Sequence, residues 1–182
     1  MARATVVFGG SFDPPHLAHV MMVAWALSCQ DVDRVLVVPC FRHRFGKESA
    51  PFEHRVRMCR LAFKPFGRRC AVSRIEEELG GVSVTLRTLK ALRRRLPGAS
   101  FRLLVGSDIL AEKGQWHRFD AVEALAPLLV VGRSGASPQD PGTALPDISS
   151  STVRQLVAEG KPFQHLVPAD VAVYVVLHRL YR

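Results

Sequence analysis

Cysteine is scarce in this chain and is never paired. Cys29, Cys40, Cys59 and Cys70 are the only four in 182 residues, and no CxxC occurs, so nothing supplies the ligand spacing of a structural zinc site. No signal segment stands ahead of the first strand-like run, so free thiols in a reducing cytoplasm are expected. No apolar run approaches the roughly 18 residues of a membrane span. The G-x-G-x-x-G fingerprint is missing, which argues against a dehydrogenase. Aromatic residues make up only 8% and do not interleave with the basic ones as in a single-strand nucleic-acid platform. Internal repeats are absent as well.

Acidic residues are also in short supply. There are 16 against 25 Lys and Arg, a formal net charge of +9, so the expected partner is anionic: nucleic acid, a membrane surface or a phosphorylated small molecule. Charge alone does not choose among these. Arg93-Arg94-Arg95 closes a predicted helix, where cations complement the dipole, and reads as a solvated helix end rather than a nucleic-acid patch.

The chain is long enough for one full core, and 48% hydrophobic residues exclude disorder; a single domain over residues 1–182 is expected. Strand-like runs fall at Ala4 to Phe8, Arg34 to Val38, Cys70 to Ile75, Phe101 to Val105 and Leu128 to Val131. Helical patterns fill His16 to Ser28, Phe52 to Phe63, Val84 to Leu96 and Phe119 to Leu125. This alternation predicts an α/β fold, a Rossmann-like doubly wound parallel sheet with helices on both faces. Gly132 to Leu145, rich in Gly, Ser and Pro, reads as a loop. C-terminal helices are expected from near Ser150 and from about Pro168 to His178.

The densest chemistry lies in Phe8-Gly9-Gly10-Ser11-Phe12-Asp13-Pro14-Pro15-His16-Leu17-Ala18-His19. A buried strand runs into a double glycine, which lets the backbone turn close to a ligand. Asp13 is expected to cap a helix whose first turn holds both prolines, leaving N–H groups and the positive dipole end for an anion. His16 and His19, three apart, share one side, and Val20, Val23, Ala24 and Leu27 continue it toward the sheet. An isolated HxxH is more often a surface pair; the strand, glycines and helix start together favour a phosphate site. A second anion site is written as Asp147-Ile148-Ser149-Ser150-Ser151-Thr152-Val153-Arg154, where hydroxyls crowd a helix start and Arg154 lies one turn beyond Ser151. Two such sites in one small basic chain point to a polyphosphate.

These two segments resemble the signatures of the HxGH-type nucleotidyltransferases, the first its histidine motif and the second its ISxTxxR motif. Within that superfamily the chain is most similar to the bacterial nicotinate-nucleotide adenylyltransferases, with Gly106-Ser107-Asp108, Trp116, Ser83-Val84-Thr85 and Leu180-Tyr181 in family order. The resemblance implies transfer of an adenylyl group from ATP to a pyridine mononucleotide without a covalent intermediate, which suits a chain with no evident Ser/His/Asp triad. It implies that His16 and His19 contact the phosphates and that Gly9, Gly10, Ser11 and Phe12 border them. Ser149, Ser150, Ser151 and Arg154 would hold the β and γ groups, and Gly106 and Asp108 would lie near the ribose. Thr85 and Trp116 are implied for the pyridine nucleotide, and Lys47, with Arg44 as its rival, for a basic catalytic role. Mg²⁺ would be carried by ATP, with no protein metal site. Ala18, Val84 and His117 depart from the family pattern. Nicotinamide mononucleotide and phosphopantetheine stand as alternative acceptors, and a non-catalytic nucleotide or nucleic-acid binder as the alternative class. The resemblance leaves oligomeric state open and implies no membrane.

Overall fold

The structure, a computed structural model, describes residues 4–42, 49–107, 114, 116–132 and 145–182. Five strands are found among them: β1 (Ala4–Gly10), β2 (Val32–Pro39), β3 (Cys70–Val72), β4 (Phe101–Gly106) and β5 (Leu128–Val131). They form one sheet in the order β3-β2-β1-β4-β5, every pairing parallel. The chain steps outward from β1 through β2 to β3, then returns to the other side of β1 for β4 and β5. At that reversal the connections leave β1 and β4 in opposite directions, which opens a crevice beyond their carboxyl ends.

Strand side chains alternate between two cores, as the two-residue period requires. On one face Val6 and Phe8 of β1, Val35 and Val37 of β2 and Leu104 of β4 pack against α1 (Leu17–Cys29), α2 (Phe52–Phe63), α6 (Ser150–Ala158) and α7 (Ala169–Leu177). On the other, Val7, Val38, Leu103 and Val105 meet α3 (Ile75–Leu79), α4 (Thr85–Arg95) and α5 (Phe119–Leu125). This is the doubly wound arrangement expected. No helix among the described residues is long and apolar enough to cross a membrane.

Two local expectations need correction, and a third lies mostly outside the described residues. The third strand stops at Val72 rather than Ile75, because Ser73 Oγ accepts the Ile75 N–H (3.3 Å) and the Arg74 carbonyl accepts those of Glu77 and Glu78, starting the short helix α3. In α1 the buried stripe is Ala18, Met22, Val23, Ala26 and Leu27, whereas Val20 and Ala24 are only half-buried. Of the loop expected from Gly132 to Leu145, residues 133–144 lie outside the described ones; its ends meet where Leu145 N–H donates to the Gly132 carbonyl (3.1 Å). The basic end of α4 behaves as expected, with Arg95 paired to Glu78 at 2.5 Å.

Candidate active site

The crevice at the reversal point is a cavity of about 730 Å³, in the upper part of the roughly 300–1,000 Å³ range of small-molecule sites. β1 delivers its first wall. A Cβ on Gly10 would come within 3.1 Å of the Phe12 ring, so the glycine is what lets that ring fold back under the strand. Phe12 takes a left-handed φ of 49° that is uncommon outside glycine. Edge-on contacts with Phe8 (5.2 Å), His19 (5.0 Å) and Phe63 (6.1 Å) hold it there.

Asp13 does not cap α1. The helix begins only at Leu17, with His16 at the N-cap position, because the residue before each proline is pushed out of the helical region and two prolines in succession delay the start. Asp13 is instead 2% exposed. Its Oδ1 accepts from the Tyr181 hydroxyl (2.8 Å) and the Ala50 N–H (3.2 Å).

The two histidines do lie together, their rings stacked with centroids 3.6 Å apart. The backbone N–H of His16 donates to His19 Nδ1 (3.1 Å), much as a side chain at that position reaches back in a capping box. A ring nitrogen that accepts a backbone N–H carries no proton of its own, so in neutral His19 the proton sits on Nε2. His16 is 2% exposed and His19 half-buried, and both line the cavity.

Helix α6 supplies the opposite wall. Ser149 is its N-cap and accepts the Thr152 N–H (3.0 Å). Ser150 Oγ donates to the Pro14 carbonyl (2.9 Å), stitching this helix start to that of α1. Arg154 Nη1 donates to the Asp13 carbonyl (2.7 Å), and Nη2 reaches Ser151 Oγ at 3.4 Å. The two helix starts, 133 residues apart in sequence, thus aim their positive ends at one cavity.

A residue not singled out in the sequence ties the floor together. Arg55 on α2 is 3% exposed and donates to four backbone carbonyls: Ala50 (2.9 Å), Ser11 (3.0 Å), Cys40 (2.6 Å) and Phe41 (3.4 Å). Its signal was present, since Phe52, Arg55, Val56 and Cys59 share the helical spacing of the buried stripe, and a charge at such a position needs partners. Beside it, Glu76 accepts from the Phe41 N–H (3.0 Å) and Thr88 hydroxyl (3.0 Å), and Ser83 Oγ accepts from the Phe41 N–H (3.0 Å). Burial raises the Cys40 thiol above its usual value.

Of the residues expected from sequence, the cavity wall includes Gly9, Gly10, Ser11, Phe12, His16, His19, Thr85, Gly106, Trp116, Ser149, Ser150, Ser151 and Arg154. Thr85 opens α4, and Trp116 packs its edge on Phe119 (6.0 Å) while lining the cavity. Arg44, Lys47 and Asp108 lie outside the described residues.

A family model described as Cytidylyltransferase-like matches residues 7–156. A relative from Anaeromyxobacter dehalogenans (strain 2CP-C), named a probable nicotinate-nucleotide adenylyltransferase, is 48% identical over 183 residues, spanning 99% of this chain and 97% of its own length. One of the same name from Myxococcus xanthus is 39% identical over 181 residues, spanning 99% and 95%. Among solved structures, the Plasmodium falciparum nicotinic acid mononucleotide adenylyltransferase complexed with NaAD superposes with a TM-score of 0.85 at 18% identity, over 99% of this chain and 98% of that one. The likeness at that identity is one of fold.

Proposed function

The chain belongs to the cytidylyltransferase-like family and, within it, to the nicotinate-nucleotide adenylyltransferases, and from that premise we propose that it transfers the adenylyl group of ATP to nicotinate mononucleotide, giving deamido-NAD and pyrophosphate in NAD biosynthesis. The observation that carries this reading is the convergence of two helix starts, with His19 and Arg154, on one cavity at the strand-order reversal.

In this reading a phosphate oxygen of the mononucleotide attacks the α-phosphorus of ATP in line. The bond from that phosphorus to the bridging oxygen of the β-phosphate breaks, and pyrophosphate carries the electron pair away. The attacking group is already an anion, so the protein's task is to hold two negative reactants together and offset the charge that builds at the α-phosphate. His19 Nε2–H is the donor suited to that place, since Nδ1 is committed to the backbone. His16, stacked against it, keeps the ring in position. Arg154, 24% exposed in its side chain, presents its remaining N–H groups to the β and γ phosphates, beside Ser149, Ser150 and Ser151. Gly9, Gly10, Ser11 and Phe12 border the α-phosphate; Gly106 and Asp108 take the ribose, and Lys47 a basic catalytic role. Thr85 and the Trp116 indole face, which can stack on a pyridine ring, take the second substrate. Mg²⁺ accompanies ATP and offsets triphosphate charge. The enzyme works as one domain in the cytoplasm.

The test is turnover of ATP and Mg²⁺ with nicotinate mononucleotide, nicotinamide mononucleotide or phosphopantetheine in separate reactions, reading pyrophosphate and the product. The expected result is deamido-NAD from the first and far less product from the others. A different preferred acceptor refutes the substrate assignment, and ATP binding without turnover refutes the reaction.

A further inference from the structure

We propose that Tyr181 is a positioning residue for ATP: by holding one oxygen of the buried Asp13 carboxylate, it keeps the other from closing on Arg154 and so leaves that guanidinium to the triphosphate. The role given to Arg154 rests on the adenylyl-transfer reading.

The geometry is that of a competition held short of completion. Both hydrogen bonds that Asp13 receives on its side chain go to Oδ1, from the Tyr181 hydroxyl at 2.8 Å and the Ala50 N–H at 3.2 Å. Oδ2 is buried without a hydrogen-bond partner and stands 3.8 Å from Arg154 Nη1, too far for a hydrogen bond. A buried carboxylate oxygen in that state gains by turning toward a guanidinium, because a direct charge-assisted bond is far stronger than a gap. Arg154 already leans on the same residue through the Asp13 carbonyl at 2.7 Å, so a small rotation of the carboxylate would complete a forked ion pair. That pair would occupy the N–H groups that the phosphates need.

The chain is bent to bring Tyr181 to this place. Beyond α7, Arg179 and Tyr181 both take left-handed φ values, 51° and 64°, which non-glycine residues adopt only when their surroundings hold them. Leu180 N–H returns to the Val175 carbonyl (3.1 Å), and Leu180 and Tyr181 pack on the core. Burial and the Asp13 charge raise the phenol well above its usual range, so it stays a donor.

The experiment is a double-mutant cycle read by calorimetric titration of the folded full chain with MgATP. Tyr181→Phe removes one hydrogen bond to a charged group and is expected to weaken ATP about tenfold, with the KM for nicotinate mononucleotide within about twofold and the fold intact by circular dichroism. In an Arg154→Ala background the same change is expected to have no further effect on ATP. ATP affinity within about twofold of the parent in Tyr181→Phe, an equal loss for both substrates, or a tenfold loss that persists without Arg154 would each overturn the proposal. A parent protein that binds ATP but does not adenylylate nicotinate mononucleotide sinks the functional reading and leaves the cycle readable. One that binds no ATP overturns both.

Discussion

Replacing His19 by asparagine should separate catalysis from folding. Its Nδ1 accepts the His16 N–H at 3.1 Å, and its ring stacks on His16 at 3.6 Å between centroids. Asparagine places an amide oxygen near the Nδ1 position, so the backbone N–H keeps an acceptor while nothing remains at Nε2. Loss of one aimed donor to developing charge costs about 3–4 kcal/mol, or roughly 100- to 1,000-fold in rate. Both substitutions lose ring packing worth about 1 kcal/mol, and alanine also loses the backbone acceptor, about another 1 kcal/mol. In a chain of this length each kcal/mol moves Tm by about 2–4 °C. Pyrophosphate release and scanning calorimetry on the same samples should therefore show His19→Asn and His19→Ala equally slow, with Tm lowered by roughly 2–4 °C in the first and by roughly 4–8 °C in the second. His19→Gln, whose amide reaches toward Nε2, should recover part of the rate and none of the cap. Asparagine activity within tenfold of the parent, or glutamine no faster than asparagine, would refute the assignment of the donor to Nε2.

Arg55→Met should unfold the floor of the cavity before it affects any chemistry. Four carbonyls lose their donor, a cost of about 3 kcal/mol and a Tm drop of roughly 6–12 °C; Arg55→Lys should recover little of it, because an ammonium cannot span the fork. Equal Tm for arginine and lysine would contradict this. Thiol reagents at pH 8 should modify the exposed Cys29 in the folded protein, the half-buried Cys70 slowly because its thiol is pushed up, and the buried Cys59 only after unfolding. Burial pushes the Cys70 thiol up from 9.0 to about 12. The unfolded chain therefore releases that proton first, and this contribution to stability is intact below pH 9 and lost as pH rises toward 12. A denaturant midpoint that rises over that window would show the sign to be wrong.

The fold was legible because its strands are β-branched runs set between helical periods; β5, α2 and α5 match their expected bounds. The α3 helix was not, since five residues carry no period and Ile75, an apolar residue after a strand, reads as its continuation. Within the site, the two helix starts that line the cavity stood out because their chemistry is local: hydroxyls, histidines and glycines within a few residues. Asp13 was placed wrongly for the opposite reason. Its partners, Ala50 and Tyr181, are 37 and 168 residues away, and a carboxylate before a helix looks like a cap until the prolines are given their steric effect. Arg55 and Glu76 join loops that only the sheet brings together.

Gly9 leaves a different kind of trace. It is the one exposed residue of β1, in register with Val38, it needs no left-handed φ, and a Cβ built on it would meet nothing within 4 Å. Among the described residues neither backbone conformation nor packing accounts for the missing side chain, and the space beside it opens on the cavity. Natural selection for a stable fold would leave this position free to drift to alanine, which reduces the entropy of the unfolded chain, while selection for turnover would hold it at glycine. A library sorted for heat resistance and the same library sorted for product should therefore part company at residue 9, the protein recording there the surface of a molecule it does not itself contain.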